Sequence, residues 1–215
     1  LSPPSSEPAI EVSEPISRKQ IEQILQRHAL IDQQRLARIQ QGLTHEQNRL
    51  FGVVALLLHT NHRSLPGYFG EDAPAGICGY IPARDTILLA KHFAREFKDK
   101  FLPQPMMPIE ALYLIGSSGT LGQDRQSDFD FWVCHHPDLN ELQLSLLQSK
   151  LDLIEQAAKK LGMQWHFFLL HAKDFRSGKH AAISEDSSGD TQHHLLLEEF
   201  YRSGLLLAGN PPLWW

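Results

Sequence analysis

Two carboxylates set in an apolar run are the chemistry-bearing feature of this sequence. Asp128 and Asp130 alternate with Phe129, Phe131 and Val133, and Trp132 and Cys134 follow. Side chains alternate faces along a strand. The pattern therefore predicts that Asp128, Asp130 and Trp132 share one face while Phe129, Phe131 and Val133 point into a core. Burying carboxylates is costly unless they are paired or bound to a cation. A hard divalent ion such as Mg²⁺ or Mn²⁺ takes oxygen ligands, commonly one or two carboxylates plus the phosphates of a substrate. The competing reading is a solvated strand end, and the aromatic flanks argue against it. Upstream, Leu112-Tyr113-Leu114-Ile115 stops at Gly116-Ser117-Ser118-Gly119, with residues 118–127 between Ser117 and Asp128. Such a small-residue turn permits close backbone approach. The N–H groups of Ser117 and Ser118, with the Ser117 hydroxyl, suit the β- and γ-phosphates of a nucleotide. A tight loop is the plain alternative, and G-x-x-x-x-G-K-[ST] is absent.

Other candidates carry weaker signals. Trp132 suits either a contact to ribose or base or ordinary core packing. Arg125, Lys173, Arg176 and Lys179 are cations that either neutralise a triphosphate or sit on the surface. His135-His136 and His193-His194 suggest zinc, but adjacent histidines point apart and no Cys or acidic spacing completes a site. Thr191, Gln192, His193 and His194 stand at the expected start of the last helix, where anions are favoured, with helix capping by Asp190 as the alternative.

Size and composition bound the classes. The 215 residues are 42% hydrophobic and 21% charged, enough for a buried core. A net charge of −5 without a Lys/Arg block argues against nucleic acid as a partner. Cys78 and Cys134 lie far apart and read as reduced thiols of a cytoplasmic protein. The longest apolar stretch, residues 53–58, is too short to span a membrane. The absence of Met at position 1 and the terminal Trp214-Trp215 suggest a fragment of a longer polypeptide.

The elements that must hold the acids follow from periodicity. Residues 1–16, rich in Pro, Ser and Glu, read as a disordered tail. Residues 17–43 predict a long helix, and Thr44 with Gln47 forms a capping box opening a second, buried helix. Residues 61–83 are a Gly/Pro-punctuated loop, and 84–98 a third helix. After the two central strands, Asp138 is expected to cap a helix running to Leu161 with Leu142, Leu146, Leu147, Leu151, Ile154 and Ala157/Ala158 inward and Gly162 as its stop. Residues 165–170 predict a buried strand, and 191–207 a last helix carrying Leu195, Leu196, Glu199 and Arg202 on one face. The expected domains are a helical region, 17–100, and an α+β core, 101–215, truncated at its C-terminal end.

Gly-Ser followed by Asp-x-Asp at this spacing resembles the polymerase-beta-like nucleotidyltransferase fold, a small mixed sheet with flanking helices, here preceded by a helical layer. The fuller wording, GSSGTLGQDRQSDFDFWVCHHPDL, is similar to the amino-terminal catalytic region of class I adenylate cyclases of the enterobacterial type. The similarity extends through Leu56-Leu57-Leu58-His59, Leu65-Pro66-Gly67-Tyr68, Phe167-Phe168-Leu169-Leu170 and TQHHLLLEEFYRSG at 191–204. The resemblance implies a cytoplasmic enzyme that converts ATP to cyclic AMP and pyrophosphate. It further implies two Mg²⁺ or Mn²⁺ ions on Asp128 and Asp130, and a phosphate loop at Gly116 and Ser117. Its implied partners are the rest of the same polypeptide, including a regulatory region, and a protein of the sugar phosphotransferase system.

One departure stands out. Nucleotidyltransferases of this kind place a third acid on the neighbouring strand, and here that strand has none. Asp174, Glu110, His166 or a residue outside this sequence remain as substitutes. Two other functions compete: nucleotidyl transfer to another acceptor hydroxyl, and a non-catalytic nucleotide-binding module.

Overall fold

The computed structural model describes residues 17–98, 107–116, 128–171, 200 and 202–211. Its first helix, α1, is Arg18–Gly42. Ser17 caps it reciprocally with Gln20, and the same device, Thr44 with Gln47, opens α2, His45–His59. α2 carries apolar residues around most of its circumference and buries Leu50, Phe51, Val53, Val54 and Leu56 through Leu58. The third helix, α3, is Arg84–Phe93. It ends before the expected Lys98, at the Ala94 C-cap. α3 approaches α2 closely at Gly52, where an added Cβ would lie 2.8 Å from Leu89 Cδ1.

The strands are β1, Ile109–Ile115, β2, Phe129–His135, β3, Trp165–Leu170, and β4, Leu205–Gly209, in sheet order β3-β2-β1-β4. β1 pairs antiparallel with β2 and with β4, while β2 and β3 are parallel. That parallel pair needs a crossover, supplied by α4, Glu141–Lys160. The molecule is therefore α+β with a small mixed sheet.

Three expectations are corrected here. α4 is capped by Asn140 rather than Asp138: Asn140 accepts from the Gln143 N–H, and Gln143 reaches back to the Asn140 N–H. Leu142, expected inward, is 69% exposed, because it lies in the first turn of a helix that starts later than predicted. The expected last helix does not reach Leu207. Residues 202–203 are helical, but Leu205–Gly209 is the edge strand β4. The break falls at Gly204, where a Cβ would lie 2.6 Å from the Phe200 carbonyl oxygen. Thr191, where that helix was expected to start, lies outside the described residues.

α4 ends where Gly162 was expected to stop it. Gly162 has φ 75°, its N–H donates to the Lys159 carbonyl, and Met163 N–H donates to Ala158. This pair of bonds satisfies carbonyls the helix would otherwise leave open, and it turns buried Met163 into the core.

One sheet face and the helices share the main core. Phe129, Phe131, Val133, Trp165 and Phe167 pack with the apolar faces of α2 and α4. Phe51 of α2 meets Phe129 and Trp165 at ring-centroid distances of 5.8 and 6.5 Å. Full burial of a side chain such as Phe131 contributes about 2–3 kcal/mol. The opposite face holds a smaller cluster of Tyr113, Ile115, Trp132, Cys134, Leu170 and Phe200. No helix among the described residues is long and apolar enough to cross a membrane.

Candidate functional site

The acids sit where β1 ends and β2 begins. Ile115, the last residue of β1, is the register partner of Asp130. On the other side of β2, Asp130 pairs with His166 of β3. Alternation puts Phe129 and Phe131 in the main core, as predicted, and leaves Asp130 on the face of the smaller cluster. Asp128 directly precedes the strand. Its Oδ2 lies 3.9 Å from His166 Nε2, and both side chains are about half exposed.

The electrostatics single out Asp130. Burial pushes its carboxyl above the ordinary carboxylate range, nearby His166 pulls it down, and Asp128 pushes it up. Among the described residues no hydrogen bond or ion pair reaches the Asp130 carboxylate. A half-buried carboxylate beside a second carboxylate is a donor set suited to a divalent cation. No group of three or more His, Cys, Asp or Glu among the described residues has the geometry to hold a metal ion. Among the described residues, the oxygen donors brought together here are those of Asp128 and Asp130.

Gly116 closes β1 in the left-handed region, φ 86°. An added Cβ would meet nothing within 4 Å, so the backbone angle rather than space calls for glycine. Its N–H donates to Ser203 Oγ at 3.0 Å. Ser117 and Ser118 lie outside the described residues, as do Arg125, Lys173, Asp174, Arg176, Lys179, Asp190, Gln192, His193 and His194.

Trp132 is 4% exposed and stacks on Phe200, with centroids 5.4 Å apart and planes at 6°. Of its two readings, the packing one describes this placement. Of the substitutes for a third acid, Glu110 stands at the far end of β1, where Ile109 pairs with His135. Five residue steps along the strand, roughly 16 Å, separate it from Ile115. Of the substitutes among the described residues, Glu110 and His166, the fold brings His166 to the pair. Ser203 was not singled out by sequence reasoning. It follows a helix-like run and contacts Gly116 from 87 residues away, so no local pattern marks it.

Comparison with known proteins joins this geometry to a family. The model for the family described as "Adenylate cyclase NT domain" matches residues 20–215. The chain is 34% identical over 200 residues to proteins named adenylate cyclase from Salmonella typhimurium and from Escherichia coli K12, covering 90% of this chain and 23% of each relative. The Pasteurella multocida protein of the same name is 36% identical over 191 residues, again covering 23% of its length. The chain thus spans about a quarter of the length of these relatives. On the match across residues 20–215 and these identities, the chain belongs to the adenylate cyclase amino-terminal domain family.

Proposed function

We propose that this chain forms the ATP-binding, nucleotidyltransferase part of an enzyme that cyclises ATP to 3′,5′-cyclic AMP and pyrophosphate. The observation that carries the reading is the Asp128/Asp130 pair. Half-buried Asp130 lacks a donor among the described residues and stands beside Ile115 and Gly116 at the end of β1. The β1–turn–β2 unit, followed by a crossover helix and a parallel strand, supports a polymerase-beta-like arrangement, in which acids at the start of β2 face the turn after β1.

In this reading the ribose 3′-hydroxyl attacks the α-phosphorus of the same ATP. The new O3′–P bond closes the ring as the bond to the β-phosphate bridging oxygen breaks. The hydroxyl proton is released and pyrophosphate departs in line. Asp128 and Asp130 would hold Mg²⁺ or Mn²⁺. Bound there, the ions would make the hydroxyl more acidic and offset charge on the leaving oxygens. The chain's own contribution is placement. β2 fixes Asp130 between Ile115 and His166, and the turn at Gly116 brings backbone close to the phosphates. Holding reactants in line accounts for a large part of such a rate enhancement.

The test is mass-spectrometric product analysis with ATP and Mg²⁺ or Mn²⁺, alongside the Asp128→Asn/Asp130→Asn double variant and with ATP binding measured in parallel. Cyclic AMP and pyrophosphate are expected, with a loss of at least about a hundredfold in the double variant. Pyrophosphate formed only when a second hydroxyl compound is supplied would favour transfer to another acceptor. Metal-dependent ATP binding without turnover would favour a non-catalytic module. Failure to bind ATP with either metal would overturn the reading.

A further inference from the structure

The β1–β4 ladder ends at Leu114, two rungs before Gly116. Tyr113 pairs with Leu206 and Leu114 with Leu205. Continued in that antiparallel register, the residue opposite Gly116 is Ser203. Residues 202–203 are helical and β4 starts only at Leu205, so the ladder does not run on to that rung. Ser203 Oγ takes the Gly116 N–H instead, at 3.0 Å, with Ser203 only 7% exposed. A side chain thus completes the rung that the backbone leaves open.

The Ser203 turn is itself held firmly. Gly204 N–H donates to the Phe200 carbonyl at 2.8 Å. The Phe200 ring packs on Trp132 and, edge-on at 5.0 Å, on Tyr113. Gly204 is confined between Phe200 and Ile115, whose Cδ1 would lie 3.5 Å from an added Cβ. The hydroxyl is therefore fixed relative to the end of β1.

We infer that Ser203 is a positioning residue for the nucleotide site: its hydroxyl sets the direction in which the chain leaves β1 at Gly116. The inference rests on the reading of that turn as the ATP phosphate loop. It also refines that reading. The Gly116 N–H is engaged within the protein, so Gly116 serves through its left-handed backbone rather than as a phosphate donor. Losing a buried hydrogen bond leaves an amide unsatisfied and frees the turn.

The experiment compares the unmodified protein with Ser203→Ala and Ser203→Thr. It measures ATP and adenosine affinity by calorimetry with Mg²⁺, and hydrogen exchange at the Gly116 amide. ATP affinity should fall about tenfold in Ser203→Ala, the equivalent of about 1.4 kcal/mol. Adenosine affinity should hold, Gly116 exchange should accelerate, and Ser203→Thr should restore both ATP affinity and protection. If Ser203→Ala fails to fold, Ser203→Thr against Ser203→Val, similar in shape and differing in the hydroxyl, carries the same comparison. Equal ATP affinity in the hydroxyl-free variant would overturn the role of Ser203 alone. Equal losses for ATP and adenosine would assign it a general structural role and overturn positioning. No ATP binding by the unmodified protein would overturn the phosphate-loop reading and this inference with it.

Discussion

Asp130 of β2 and His166 of β3 are register partners across the parallel ladder, and the His166 imidazole reaches within 3.9 Å of Asp128. The strand that lacks a carboxylate therefore still presents a polar side chain to the acids. The position also tunes charge: His166 partly offsets the burial that disfavours ionised Asp130. Burial and the neighbouring Asp128 charge both disfavour ionised Asp130, so ionising it in the folded protein costs stability.

That cost gives the first prediction. Because burial raises the Asp130 carboxyl, between its ordinary value of 3.8 and its folded value the native state binds more protons than the unfolded state. Stability from this group is full below about 3.8 and is lost as pH rises through the folded value. Asp130→Asn should therefore raise the melting temperature of the metal-free protein at pH 7 by a few degrees. The difference should vanish toward pH 3.8. Mg²⁺ or Mn²⁺ should raise the wild-type melting temperature and leave the variant's unchanged. A variant less stable than wild type without metal at pH 7 would contradict the account.

A second charge on the other side of the sheet behaves in the opposite sense. Lys150 of α4 is 1% exposed, and its ammonium donates to the Thr60 carbonyl at 2.7 Å and to Asn61 Oδ1 at 3.4 Å. Thr60 is the C-cap of α2, where a cation meets the negative end of the helix. Among the described residues no carboxylate pairs with it, and burial lowers its pKa to about 7. Between about 7 and 10.5 the unfolded state binds more protons, so stability from this group rises with pH across that window. Urea denaturation should show a wild-type rise of about 2–4 kcal/mol relative to Lys150→Met. Cys134, pushed up to about 12 by burial, is common to both proteins and drops out of the difference. Parallel profiles for the two proteins would refute the assignment.

Local signals were legible in the sequence, and long-range ones were not. The Thr44/Gln47 box, the Gly162 stop and the alternation around Asp128 and Asp130 each lie within a few residues, and each appears in the fold. The Asn140/Gln143 box was not among the sequence expectations, which named Asp138, another capping type two residues earlier. β4 was misread because Leu205-Leu206-Leu207 carries no period of its own and follows a run with helical spacing. What separates them is Gly204 against the Phe200 carbonyl, a contact visible only once the chain is folded. The same holds for the Ser203–Gly116 bond and for the pairing of His166 with Asp130. Both depend on which strands become neighbours, and residue types alone do not specify that. Glu110, plausible by proximity in sequence, fails because β1 carries it to the wrong end of the sheet.

Glycine at the end of β4 offers the sharpest check of the edge strand. Gly209 has φ 97°, and an added Cβ would overlap the Glu110 carbonyl oxygen and lie 2.6 Å from Ala111 Cα. Neither neighbour is free to move. The Glu110 carbonyl accepts the Asn210 N–H at 2.9 Å, and the Asn210 carbonyl accepts the Tyr113 hydroxyl at 3.1 Å. Both the backbone angle and the space thus exclude a side chain. Gly209→Ala should cost about 2–4 kcal/mol and shift the urea midpoint down. Gly42→Ala is the matched control. Gly42 closes α1 with nothing within 4 Å of an added Cβ and without a positive φ, so alanine there should stabilise by up to about 1 kcal/mol. Because β4 leads back to Ser203, Gly209→Ala should also speed hydrogen exchange at the Gly116 amide, while Gly42→Ala leaves it unchanged. A Gly209→Ala protein as stable as wild type would mean that β4 does not pair with β1 in this register.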